Sequence, residues 1–174
     1  MHSQVVDWCE YVRGRFPEHF SNSFVLEIGS LDINGSVRSL FHNPLNYIGL
    51  DLGPGPGVDV ICPAHLFKSN ECFTVIISTE ALEHDQHWAK TLAAASSMLC
   101  PGGLMLFTCA APGRGEHGTA RSSPADAPFT NDYYRNLSET DVRSTWPVDD
   151  IFSSYEFNTL STDLRFWGIK KGAG

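Results

Sequence analysis

Several groups of residues in this sequence have side chains suited to chemistry. Glu83-His84-Asp85-Gln86-His87 places carboxylates beside imidazoles, and His117 lies in the glycine-rich stretch Gly113-Arg114-Gly115-Glu116-His117-Gly118-Thr119. Tyr133-Tyr134-Arg135 follows with two phenols and a guanidinium. Imidazole titrates near neutrality, so His117 and His84 are the candidate catalytic groups for general acid–base work, which is worth roughly 10²–10⁴-fold. His117 is the preferred base, because the surrounding glycines allow a loop to close over substrate. His84 also suits a capping role at the start of a helix. Tyr133, Tyr134 and Arg135 are candidate substrate-binding residues. Glu83, His84 and His87 are metal-ligand types, but the order is not H-E-x-x-H and no third ligand follows at a usual spacing, so no metal is expected.

A second group suits a nucleotide. Glu27-x-Gly29 ends an apolar run, and a glycine there lets backbone approach a nucleoside closely. Asp51 follows about 20 residues later, where nucleotide-binding folds hold ribose hydroxyls. The sequence contains no G-x-x-x-x-G-K-[ST], which argues against a P-loop enzyme.

These residues need elements to hold them in place. Residues 24–28, 47–52, 58–61, 73–78 and 104–109 read as strands, and 73–78 is so uniformly apolar that it should be covered on both faces. Residues 87–99 form the clearest helix, with Trp88, Leu92, Ala95 and Leu99 on one face. Residues 36–41 read as a short helix capped by Ser36, and 136–143 as another opened by Ser138. Residues 5–11 are mildly amphipathic up to the break at Pro17, and residues 155–159 and 163–169 read as a hairpin. Alternating strands and helices imply an α/β, Rossmann-like, doubly wound and mainly parallel sheet with a C-terminal antiparallel hairpin. Ligands in such sheets bind beyond the carboxyl ends of the strands, where Gly29, Asp51, Ser78–His84 and His117 all fall.

The 174 residues fit a single domain, with residues 1–22 as an N-terminal segment and 110–135 as a lid or substrate loop. A hydrophobic content of 42% and a charged content of 18% exclude a disordered or collagen-like chain. Twelve Lys and Arg against 20 Asp and Glu give a net charge of −8, which disfavours nucleic acid as a partner. No apolar run nears the roughly 20 residues that span a bilayer, so no membrane association is expected. The five cysteines are an odd number with no C-x-x-C, and they read as reduced thiols in a cytoplasmic protein. Trp88 and Trp167 read as core, and Lys170-Lys171 as a solvated tail.

The ordered motifs Val25-Leu26-Glu27-Ile28-Gly29, Tyr47-Ile48-Gly49-Leu50-Asp51, Val75-Ile76-Ile77-Ser78-Thr79-Glu80-Ala81-Leu82-Glu83-His84 and Leu99-Cys100-Pro101-Gly102-Gly103-Leu104 resemble those of class I S-adenosylmethionine-dependent methyltransferases, nearest to members that modify small molecules. The resemblance implies S-adenosyl-L-methionine as cofactor and a small polar acceptor, with O-methylation of a sugar or natural-product hydroxyl the expected reaction. It implies that Glu27, Gly29, Ser30 and Asn34 shape the methionine side of the pocket. Asp51 would bind the ribose, Leu52 would flank the adenine, and Ser78 and Thr79 would lie along the cofactor. Leu31 and Ile33 depart from the usual pattern by replacing two loop glycines, and Asn34-Gly35 would supply the turn instead. In many relatives an acid near the position of Pro63 meets the adenine amine; the candidates here are Asp59 or backbone around Ala64-His65. The acceptor pocket would come from the N-terminus, the 110–131 loop and residues 133–135, or from the second subunit of a homodimer. The competing readings are a non-catalytic cofactor-binding or regulatory module and a nicotinamide-dependent oxidoreductase. The latter lacks both G-x-G-x-x-G and Tyr-x-x-x-Lys.

Overall fold

The computed structural model describes residues 3–172. Its strands are β1 (Phe24–Ile28), β2 (Asn46–Asp51), β3 (Val60–Ile61), β4 (Phe73–Thr79), β5 (Leu99–Ala110), β6 (Phe152–Leu160) and β7 (Asp163–Lys170). They form one sheet in the order β3-β2-β1-β4-β5-β7-β6. β1 to β5 are parallel, and β7 runs antiparallel between β5 and β6. The α-helices are α1 (Ser3–Arg15), α2 (Trp88–Met98), α3 (Glu139–Thr145) and α4 (Val148–Ile151). The architecture is the mainly parallel sheet with a terminal hairpin that the strand–helix alternation implies.

The inner strands are apolar throughout because each face is covered. Val25, Val75, Ile77, Leu104, Leu106 and Trp167 point to one side and pack under Val5, Trp8, Cys9 and Val12 of α1. Those α1 residues recur at helical spacing on a single face. Leu26, Ile76, Met105, Phe107 and Phe166 point to the other side, against Leu92, Ala95, Val142 and Trp146. Trp146 is 1% exposed, and its indole N–H donates to Ser96 Oγ at 2.8 Å. Its one polar atom is therefore satisfied inside the core. Ser138 caps α3 through a reciprocal box with Asp141, at 3.1 Å and 2.9 Å.

The structure corrects four expectations. Residues 36–41 contain only a 3-10 turn, Arg38–Leu40, because the Ser36 hydroxyl closes a local turn onto the Arg38 N–H and no further turn follows. β5 starts directly after α2, so Pro101-Gly102-Gly103 forms an irregular strand opening rather than a connecting loop. The cysteines are not all reduced, since Cys72 and Cys100 form a disulfide. They flank the Phe73–Leu99 pairing of β4 with β5, which brings residues distant in sequence to a Cα separation of 5.0 Å. Lys170 is no solvated tail: its ammonium donates to the carbonyls of Ser96 and Leu99 at 2.7 and 2.6 Å, capping the C-terminal end of α2. Among the described residues no helix is long and apolar enough to cross a membrane.

Candidate active site

The parallel strands all end on the same edge of the sheet, and a cavity of about 550 Å³ opens there. That is the size range of pockets that take cofactors and small ligands. Its floor comes from the ends of β1, β2 and β4, and its wall from residues 126–131 of the long loop.

At the β1 end, Gly29 takes a φ of +76°, and a Cβ there would collide with Ala81 at the β4 end. Two strand exits can therefore approach closely only because residue 29 has no side chain. Glu27 is 3% exposed, and its carboxylate accepts from the Tyr47 hydroxyl at 2.8 Å. Burial pushes its pKa up to about 7, opposed by the Tyr47 hydrogen bond and by Arg38. At the β2 end, Asp51 accepts from the Leu31 N–H at 3.0 Å and from the Leu52 N–H at 2.7 Å, one on each oxygen. Those donors orient the carboxylate and leave each oxygen a further lone pair. The Asp32 carboxylate accepts from the Gly35 N–H at 2.7 Å, so the loop lacking two customary glycines is turned by an aspartate. Asp59 is not available to a ligand: it accepts from the Gly49 N–H at 2.7 Å and pairs with Arg38 at 2.6 Å. Ala64 and His65, the other candidates, line the cavity.

The far end of the cavity is rich in histidine and charge. His84 and His117 stand edge to face with ring centroids 5.0 Å apart, and Tyr134 packs on both at 5.4 and 5.0 Å. His117 Nδ1 lies 3.1 Å from the Gly115 carbonyl, so that nitrogen carries the proton and Nε2 is the basic one. His84 is 5% exposed, and burial followed by the neighbouring His117 lowers its pKa to about 4, so it is neutral near pH 7. Glu80 sits in the cavity wall with a φ of +54°, a strained conformation for a residue with a side chain. Its carboxylate accepts from Thr108 at 2.9 Å and faces Arg114 at 3.5 Å, which in turn pairs with buried Asp163 at 2.5 Å.

Of the residues singled out from sequence, Glu27, Gly29, Ser30, Asn34, Asp51, Leu52, Thr79, His84 and His117 all line this one cavity. Ser78 does not, because strand alternation turns its side chain into the sheet, where it is 4% exposed. Tyr133 and Arg135 also lie outside the lining. The chain turns through positive φ at Asn131 and Asp132, and the Arg135 guanidinium goes to Asp141 at 2.6 Å instead. Tyr134 lies behind the two imidazoles, with its hydroxyl donated to the Gly115 carbonyl at 3.1 Å. Sequence reasoning missed Glu80, Arg114 and Phe129. Phe129 packs its ring on the Gly53 backbone across the mouth of the cavity. Its one signal was an aromatic side chain in an otherwise small-residue loop.

No family profile matches the chain, and no curated protein matches it. Solved structures do. The N-methyltransferase NodS from Bradyrhizobium japonicum WM9 is 15% identical with a TM-score of 0.62, over 97% of this chain and 96% of that one. CalS10, an amino pentose methyltransferase from Micromonospora echinaspora with S-adenosylmethionine bound, is 16% identical with a TM-score of 0.63, over 98% and 91%. The 1,6-didemethyltoxoflavin-N1-methyltransferase of Burkholderia thailandensis is 12% identical with a TM-score of 0.65, over 96% and 78%. Its structure holds S-adenosylhomocysteine and 1,6-didemethyltoxoflavin. The chain thus has the fold of the Rossmann-like methyltransferases along nearly its whole length.

Proposed function

We propose that the protein is an S-adenosylmethionine-dependent methyltransferase acting on a small polar molecule, with a hydroxyl oxygen as the acceptor atom. The observation that carries this reading is a single cavity with carboxylates at one end and a pair of histidines at the other. The carboxylate end fits a cationic nucleoside. Buried Glu27 gains a counter-ion from a ligand ammonium group, oriented Asp51 has lone pairs for two ribose hydroxyls, and Gly29 lets the β1 and β4 exits close together into one cavity floor. S-adenosylmethionine held there would supply an electrophilic methyl group to the acceptor oxygen, with S-adenosylhomocysteine as the leaving product. His117 Nε2 receives the acceptor's hydroxyl proton, and Nδ1 keeps its own on Gly115. Neutral His84 and Tyr134, both set edge to face, hold the His117 ring. Residues 110–135, with Phe129 across the mouth, act as a lid that keeps water from the reacting groups.

The test is turnover. Purified protein is incubated with S-adenosylmethionine and a panel of hydroxylated small molecules, and products are read by mass for the gain of one methylene. His117→Ala should retain cofactor affinity and lose roughly 10²-fold or more in kcat. An equal kcat in the variant would remove His117 from the role of base. Cofactor binding with no acceptor turned over would favour the non-catalytic module.

A further inference from the structure

Glu83 does not touch the cofactor end of the cavity, yet its carboxylate is fully buried. One oxygen accepts from the Ala110 N–H at 3.1 Å, and Oε2 finds no partner in the protein. A buried, half-paired carboxylate is costly unless something compensates it. The two imidazoles beside it have the same pattern. His117 uses Nδ1 on the Gly115 carbonyl and keeps a lone pair on Nε2. His84 bonds to the Tyr133 backbone through its ring, while its Nδ1 is buried without a partner. The ligand-type atoms of these three side chains all lie within 4.8 Å of one another. Each residue therefore has one polar atom held by backbone and another aimed into a shared space. Metal ligands are arranged in this way, with the far side of each imidazole fixed by a carbonyl.

We infer that Glu83, His84 and His117 form a binding site for a divalent transition-metal ion at the acceptor end of the cavity. Two imidazole nitrogens and one carboxylate oxygen suit zinc, manganese or cobalt better than calcium, which prefers all-oxygen ligands. Three protein ligands leave a coordination position open, and His84 and His117 both border the cavity, so that position faces it. The surroundings favour a cation. Glu80 and Asp126 add negative charge near His84, and the Arg114 guanidinium pairs with Asp163 and Glu80. The rings are held in place by Tyr134 and by Gly118, where a Cβ would approach His84 Cε1 to 2.6 Å. Sequence spacing hid the site because it groups His87 with Glu83 and His84, and the remaining ligand, His117, lies 33 residues beyond His84 on another loop. His87 instead faces His65, with ring centroids 4.2 Å apart. If the methyltransferase reading holds, His117 Nε2 is the base in the metal-free protein; with an ion bound that lone pair is a ligand, and the ion would instead polarise the acceptor oxygen and ease loss of its proton to solvent. Loss of turnover in a His117 variant fits either role, so the test must read the metal itself.

Protein stripped with a chelator is titrated with zinc in the presence of a competing dye. The variants are Glu83→Gln, His117→Gln and, away from the cavity, His42→Gln. S-adenosylhomocysteine affinity is measured on the same samples. The expected result is about one zinc per chain, weakened at least tenfold by Glu83→Gln and by His117→Gln and unchanged by His42→Gln. Cobalt should give a visible absorption band that both cavity variants lose. His117 lies on a partly exposed loop, so that variant remains informative if Glu83→Gln fails to fold. Zinc held equally by wild type and His117→Gln, or weakened as much by His42→Gln as by the cavity variants, would overturn the site. Absence of zinc with S-adenosylhomocysteine still bound overturns the metal site alone. Zinc bound without S-adenosylhomocysteine would uphold the site and overturn the function proposed above.

Discussion

At the residue scale, Glu27 is a buried acid in the cavity lining whose charge costs stability. Its carboxyl titrates near 7 in the folded chain and near 4.5 without the fold. Between those pH values the unfolded chain releases a proton that the folded chain keeps, so this group lowers stability as pH rises through the window. Glu27→Gln keeps an acceptor for Tyr47 and removes the buried charge. It should stabilise the protein by roughly 1–3 kcal/mol at pH 8 and by little at pH 4, read by denaturant unfolding. The same substitution should weaken S-adenosylmethionine binding, because the ligand's ammonium loses its counter-ion. In the wild type, affinity should fall as pH drops below about 7, as Glu27 takes up its proton. A stability difference independent of pH would contradict the buried-charge explanation.

At the scale of elements, Lys170 shows how β7 supports the helix behind the site. The Ser96 carbonyl of α2 and the Leu99 carbonyl just beyond it accept from one ammonium. Lys170→Met leaves them unpaired and should cost about 1–2 kcal/mol in unfolding free energy, with cofactor affinity unchanged. The sequence reading missed this contact because the partners are remote along the chain, and a charged pair near a terminus looks like a tail. Local patterns were more legible. Uniformly apolar residues 73–78 marked a strand covered on both faces, and Ser138 marked the start of α3. Glu27, Gly29 and Asp51 could be located because strand ends carry the ligands in this architecture. Phe129 and Arg114 could not, because their places depend on how a long loop folds back over the sheet, and Glu80 was hidden because its direction is set by a positive φ just after β4. The Cys72–Cys100 pairing was hidden for the same reason, since it depends on the register of β4 and β5. The misplacement of Tyr133 and Arg135 arose within the loop itself, where two successive positive-φ residues redirect the chain.

At the scale of the whole molecule, nearly every described element either builds the sheet or covers one of its faces. The cavity therefore lies between strand ends and one overlying loop. A net charge of −8, with the Glu27 and Asp51 carboxylates in the cavity lining, suits the cationic cofactor proposed above. The decisive measurement is calorimetric titration of the protein with S-adenosylhomocysteine, with NAD as comparator and Asp51→Ala as the variant. Binding of S-adenosylhomocysteine at about one per chain, none of NAD, and loss of binding in Asp51→Ala are expected. Binding of NAD alone, or equal S-adenosylhomocysteine affinity in wild type and Asp51→Ala, would contradict the assignment of the cavity.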